Sequence, residues 1–220
     1  MLQAVDAGGN LIVHQAWLHM DDDDFYRLPV PANSRNKSYF GMVLARALRN
    51  HLSVVPTEEA LHAKPLLLRL KPPLPLRVRV YIFRATQNIA ERQEGAFRVQ
   101  LTATNTPLLG EFPKPRFEFD RSNNIRCLLI GYNPELRTFI IWDADLHDAT
   151  GFTRSRGVQA PPEVVYKALA TGIAERQRDL KGPNRRETII AARPERLAEA
   201  IERRVDLSID ALLSGVIPGC

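Results

Sequence analysis

Cysteine is scarce in this chain, with only Cys127 and Cys220 among 220 residues. One lies in an apolar run and the other is the final residue, so neither a disulfide framework nor a zinc site of the CxxC type is available. A reducing compartment is the expectation. No stretch approaches the ~18 apolar residues of a membrane span. Residues 1–10 also lack the basic start and apolar centre of a secretion signal, so a cytoplasmic protein with no membrane contact is expected. Phosphate-cradling loops of the GxxxxGK[ST] or GxGxxG kind are missing, which argues against a nucleotide-dependent enzyme. There is no GxSxG elbow for a hydrolase nucleophile.

The sequence has 45% apolar and 25% charged residues, enough to build a core without staples. Its charge is unevenly spread. Residues 1–24 hold five acids (Asp6, Asp21, Asp22, Asp23 and Asp24) and no Lys or Arg; since the whole chain stands at +5, the other 196 residues carry +10. Within residues 64–104, Lys64, Arg69, Lys71, Arg77, Arg79, Arg84, Arg92 and Arg98 face only Glu91 and Glu94. A local excess of this kind attracts polyanions, though an Arg-rich solvated surface would read the same way.

Period and punctuation give the elements. Residues 36–50 place Tyr39, Phe40, Val43, Leu44, Ala47 and Leu48 on one helical face, and Thr57 is a candidate N-cap for a second helix. Residues 76–83 alternate, Val78, Val80 and Ile82 against Arg77, Arg79 and Tyr81. Residues 96–103 set Phe97, Val99 and Leu101 against Arg98 and Gln100. The apolar runs 125–131 and 137–142, joined through Asn133 and Pro134, predict a central hairpin covered on both faces. A helix is expected from Pro162 to about residue 179, a short strand at 188–192, and a helix from Pro194 inward-facing at Leu197, Ala198, Ile201 and Val205. A last short helix capped by Asp206 or Ser208 would end near Gly215. Strands in the middle and helices at both ends make the class α+β. Residues 1–70 read as an N-terminal helical extension and 71–220 as the main domain, or the two as one continuous domain.

Two clusters carry candidate chemistry. His14, His19 and the Asp21 to Asp24 run offer hard metal ligands, but the spacing fits no helical pair and the acids sit where a solvated turn is expected. The second is Trp142, Asp143, Asp145 and His147, after a buried strand. If that strand continues, Asp143, Asp145 and His147 share a face. Such acids can hold Mg²⁺ in a nuclease, accept a hydrogen bond from cytosine N4 beside a stacking Trp, or cap the next turn. No adjacent strand supplies the Lys that a familiar nuclease core adds. Arg154 and Arg156 fall in an expected loop ahead of a helix, well placed for phosphate.

The order of several short segments adds to this. Residues 81–86 (YIFRAT), 96–102 (AFRVQLT), 128–132 (LLIGY), 139–143 (FIIWD) with His147, then Ser155 with Val158 and Gln159, and 189–194 (IIAARP), together resemble the methylase-associated and McrA-type restriction domains, akin to SRA-like readers of modified cytosine. Gln87 and the loop around Arg92 depart from the pattern, and residues before 71 lie outside it. The resemblance implies a curved, mainly antiparallel sheet, an SRA-like half-barrel, with a concave DNA face lined by Tyr81, Arg98 and Gln100. It also implies a pocket for a flipped base made or supported by Trp142, Asp143 and His147.

The expected function is therefore recognition of double-stranded DNA, a site or a modified base, within a bacterial restriction–modification or defence system. DNA contacts would come from Arg77, Arg79, Tyr81, Arg84, Arg92, Arg98, Gln100, Arg154 and Arg156, and the base pocket from Trp142, Asp143, Asp145 and His147. No cofactor or resident metal is expected, and a partner nuclease, helicase or methyltransferase would supply the chemistry, with a homodimer open. The competing readings are a Mg²⁺-dependent endonuclease using Asp143 and Asp145, and a scaffold subunit without DNA affinity.

Overall fold

The computed structural model describes residues 20–26, 37–72, 77–87, 94–102, 118–148, 155–180 and 185–214. In chain order these form α1 (Asp22–Tyr26), α2 (Lys37–Ala47), α3 (Glu58–His62), β1 (Leu66–Arg69), β2 (Arg77–Arg84), β3 (Thr86–Gln87), β4 (Phe97–Thr102), β5 (Arg126–Asn133), β6 (Thr138–Trp142), α4 (Ala144–Asp148), β7 (Ser155–Ala160), α5 (Pro162–Thr171), β8 (Ile173–Asp179), β9 (Arg186–Ala192) and α6 (Leu197–Leu213). A six-stranded sheet runs β1-β2-β5-β6-β9-β8, and a three-stranded sheet runs β3-β4-β7. Every described pairing is antiparallel except β2 with β5. The fold is α+β, with a curved, unclosed sheet flanked by helices.

The period of two in the strands decides the layering. Val78, Val80, Leu128, Ile130, Phe139, Ile141 and Ile190 face a core shared with α2, α3 and α6. Their neighbours Tyr81, Phe83, Leu129, Ile140, Trp142 and Ile189 face a second core, shared with Phe97, Val99, Leu101 and Val158 of the small sheet and Val164, Val165 and Ala168 of α5. The hairpin of β5 and β6 is buried on both sides, as its continuous apolar runs predict. Gly131 lets the small sheet approach, because a Cβ there would stand 2.7 Å from Val99 Cγ1 and 2.8 Å from Trp142 Cζ3.

Residues 37–70 belong to the same body. Phe40, Val43 and Leu44 of α2 and Leu48 just after it pack in the first core with Leu66 and Leu68 of β1, and Asp22 ties α1 to Arg46 of α2 at 2.8 Å and to Arg49 beyond its end at 2.7 Å. Thr57 does cap α3, its hydroxyl accepting from the Ala60 N–H at 3.3 Å.

Four local expectations are corrected. The helix expected from Pro162 to residue 179 stops at Thr171: Gly172 takes φ 85° and turns the chain into β8, since glycine enters that region without a Cβ penalty. Ser208 does not start a separate helix, because α6 runs unbroken to Leu213 and its hydroxyl bonds back to the Arg204 carbonyl. Arg156 lies in strand β7, not in a loop. The strand before Asp143 does not continue, and α4 begins at Ala144.

Candidate nucleic-acid interface

One end of the large sheet collects arginine. β2 and β5 start there with Arg77 and Arg126, β6 ends there at Trp142, β8 ends with Arg178 and Asp179, and β9 starts with Arg186 beside Arg185. Six strands at the usual ~4.8 Å spacing make this end roughly 24 Å across. The arrangement follows from strand direction: parallel β2 and β5 bring their first residues together, and antiparallel β6, β9 and β8 alternate end with start.

Beneath it lies a buried ionic network centred on Asp143, His147 and Glu187. Asp143 Oδ2 pairs with Arg204 Nη2 at 2.9 Å, while Oδ1 accepts the N–H groups of Asp145 and Leu146 and caps α4. Glu187 is fully buried. Its Oε1 accepts from the Asp143 N–H at 3.1 Å and His147 Nε2 at 2.8 Å, and its Oε2 takes both Nε and Nη2 of Arg178, at 2.8 and 2.6 Å. Burial pushes the Glu187 carboxyl up, but His147 and Arg178 together hold it below the ordinary value. An ionised Glu187 only accepts, so His147 Nε2 carries the proton, and Nδ1 is buried with no hydrogen-bond partner among the described residues. Asp143 goes the other way: burial raises its carboxyl pKa against the pull of Arg204.

The far end of α4 is closed by two guanidiniums, Arg185 on the Leu146 carbonyl and Arg156 on the His147 carbonyl. Burial and the neighbouring Arg185 both lower the Arg156 pKa. Asp145 leaves the Asp143 side altogether and pairs with Arg121 Nη1 at 2.5 Å and Arg126 Nη1 at 3.5 Å. Asp143 and His147 do share a face, through helical i,i+4 spacing instead of strand alternation.

Of the expected pocket residues, Asp143 and His147 meet at Glu187, while Asp145 and Trp142 turn to other partners. Trp142 is wholly buried and its indole N–H donates to the Gln159 carbonyl at 2.9 Å, joining the two sheets; it offers no face for a base. The oxygens of Asp143 and Asp145 are taken by guanidiniums and backbone N–H groups, and no cluster of three metal-ligating side chains occurs among the described residues. Arg79 is also interior: it bonds the carbonyls of Asp120 and Ser122 and the Ser122 hydroxyl. Tyr81 packs against Phe119 with ring centroids 4.7 Å apart and the rings tilted, and its hydroxyl accepts from the Asp120 N–H. Tyr81, expected on an open concave face, and Arg79, expected as a DNA contact, are both covered by residues 119–122. Arg84 pairs with Glu135 at 2.7 Å on the opposite end of β2, and Arg77 is exposed. Arg92, Arg154, His14 and His19 fall outside the described residues.

The outer face of the small sheet is different. Arg98 and Gln100 of β4 project there, beside Gly157 and Gln159 of β7. Arg98 lies across Gly157, where a Cβ would meet its Nε at 2.7 Å and Nη2 at 2.8 Å, and Nη2 donates to Gln100 Oε1 at 2.8 Å. None of the three strands carries an acid. Arg156 alternates to the other face of β7, with Val158, and reaches the end of α4 from there.

Arg121, Arg126, Arg178, Arg185, Arg204 and Glu187 were not singled out from the sequence. The signal was there as arginines placed at strand starts and ends, but only the strand directions reveal that they meet.

A family model for methylase-associated X1 matches residues 76–201. The chain belongs to that family. The match covers the sheet strands from β2 onward and the first turn of α6, and membership places the chain in the setting of restriction and modification. No curated protein and no solved structure matches it.

Proposed function

We propose that this methylase-associated X1 protein is a DNA-recognition protein of a restriction–modification or defence system. The observation that carries the reading is Arg98, lying across Gly157 and bonded to Gln100, on a sheet face whose three strands carry no acid. A planar guanidinium held in place loses little freedom on binding, and Arg and Gln are suited to bidentate contacts with guanine and adenine edges. The exposed and half-exposed arginines at the sheet end (Arg77, Arg126, Arg156, Arg178, Arg185, Arg186) supply phosphate contacts that fix register without reading sequence.

Under this reading Asp143, Asp145, His147 and Trp142 support the surface and do not read the base, so a modified cytosine would be read by Arg98, Gln100 and Gln159. Chemistry would come from a partner nuclease, helicase or methyltransferase. The deciding experiment is fluorescence anisotropy with short duplexes, unmodified and cytosine-modified, across a salt series with and without Mg²⁺. Binding should fall steeply with salt, and Arg185→Gln should reduce the slope by about one unit if that residue meets a phosphate. Arg98→Ala should weaken binding and flatten any preference among duplexes. No binding to any duplex at low salt would overturn the proposal, and Mg²⁺-dependent cleavage would restore the endonuclease reading.

A further inference from the structure

The molecule segregates its charge. At the β8 end remote from the arginines, a groove of about 500 Å³ opens where α5, β8, β9 and α6 meet. Its apolar lining is Ile173, Ala174 and Ile190. Its charged lining is Glu175, Glu199, Glu202 and Asp206 against Lys167 and Arg203, a surplus of two negative charges on a chain of +5. Arg203 is already committed to Glu175 at 3.0 Å and Glu199 to Arg196 at 2.5 Å. Glu202 and Asp206 form no ion pair among the described residues.

Those two acids sit on a stripe that continues past the groove. Glu202, Asp206, Ile209 and Leu213 follow one another at helical i,i+4 and i,i+3 steps along α6. Ile209 is 42% exposed and Leu213 82%. An acidic stretch followed on the same helix face by exposed apolar side chains is a poor surface for DNA, which the acids repel. A small cation would leave the apolar part of the stripe in water.

We infer that this groove and stripe form a docking surface for a basic, amphipathic segment of a partner protein, with Lys or Arg entering between Glu202, Asp206 and Glu175 and apolar side chains covering Ile209 and Leu213. Charge complementarity selects this occupant: it supplies the missing counter-ions and the apolar cover in one segment. The neighbouring β8 edge carries Glu175, Arg176, Arg178 and Asp179, a charge density that protects sheet edges from added strands. The partner therefore engages through side chains, not by extending the sheet. The inference is independent of the DNA reading, since the surface lies away from the arginine-rich end.

The test uses the full chain and a fluorescent amphipathic peptide of lysine and leucine at i,i+4 spacing, with a twin in which glutamate replaces lysine. The lysine peptide should bind and the glutamate twin should not. Glu202→Lys with Asp206→Lys should weaken binding by roughly ten-fold or more, and Ile209→Ser with Leu213→Ser should weaken it separately. All four positions are at least partly exposed, so melting temperature should stay put and confirm that each variant is folded. Peptide binding should persist on DNA-saturated protein, and it should persist even if no DNA binds at all. Equal affinity of the wild type and the charge-reversed variant would overturn the inference. So would concentration-dependent self-association abolished by Ile209→Ser with Leu213→Ser, which would make a second copy the occupant.

Discussion

Replacing Glu187 by Gln probes the centre of the buried network. The side chain is fully buried and receives four hydrogen bonds, from Asp143, His147 and twice from Arg178. Glutamine keeps the shape but removes the charge, and its amide must point an N–H group at either Arg178 or the His147–Asp143 side. Breaking a buried ion pair by removing one partner costs about 3–5 kcal/mol. Arg178 is 22% exposed and can recover part of its hydration, so the lower end, about 3 kcal/mol, is expected. For a chain of this size that corresponds to a fall in Tm of roughly 6–12 °C. Denaturant unfolding at pH 7 reads it directly.

The pH dependence gives a second check. Glu187's folded pKa lies below its unfolded value, so its stabilising contribution is complete above the unfolded pKa of about 4.3 and is lost as pH falls through the folded value. Asp143, whose folded pKa is raised, acts with the opposite sign. The comparison is therefore the difference between wild type and Glu187→Gln, which should shrink as pH drops below about 4.3. A loss under about 1 kcal/mol at pH 7, the worth of an exposed pair, or a difference that stays constant with acid, would refute the account of Glu187 as a buried anion held by Arg178 and His147.

Gly131→Ala should destabilise by about 1–3 kcal/mol through overpacking, because its Cβ would press on Val99 and on the Trp142 ring, neither of which has room to retreat; denaturant titration measures it. Trp142→Ala should cost ~3–5 kcal/mol as a core truncation, so any loss of DNA binding in that variant must be read at a temperature where it is still folded. Gly157→Ala should leave the melting temperature nearly unchanged, since only the flexible far end of Arg98 is displaced, while weakening duplex binding about as much as Arg98→Ala does. Unchanged affinity in Gly157→Ala would show that the resting position of Arg98 is irrelevant.

Much of the fold is written locally. The alternation in residues 77–84 and 97–102, the doubly covered hairpin of β5 and β6, the Thr57 cap and the amphipathic run of α2 all follow from side-chain period and turn chemistry, and the structure has them where the pattern puts them. The segment order that resembles methylase-associated restriction domains agrees with the family match over residues 76–201.

What sequence could not decide is which side of each strand faces water and which ends meet. Arg79 and Tyr81 alternate as an exposed face should, yet residues 119–122, about 40 positions further along the chain, cover them, and nothing in the strand itself announces that segment. The helical pattern of residues 162–179 hid β8 because Val165, Leu169 and Ile173 satisfy a 3.6 period, while a single glycine at 172 ends the helix. Asp143 and His147 were legible as a pair, but their partners Glu187 and Arg204 lie 40 or more positions away in the chain. Local residues determine the elements; only the packing of distant strands determines that Asp143, Asp145 and His147 hold the arginine-rich end together, because buried charges must find their counter-ions wherever the chain brings them.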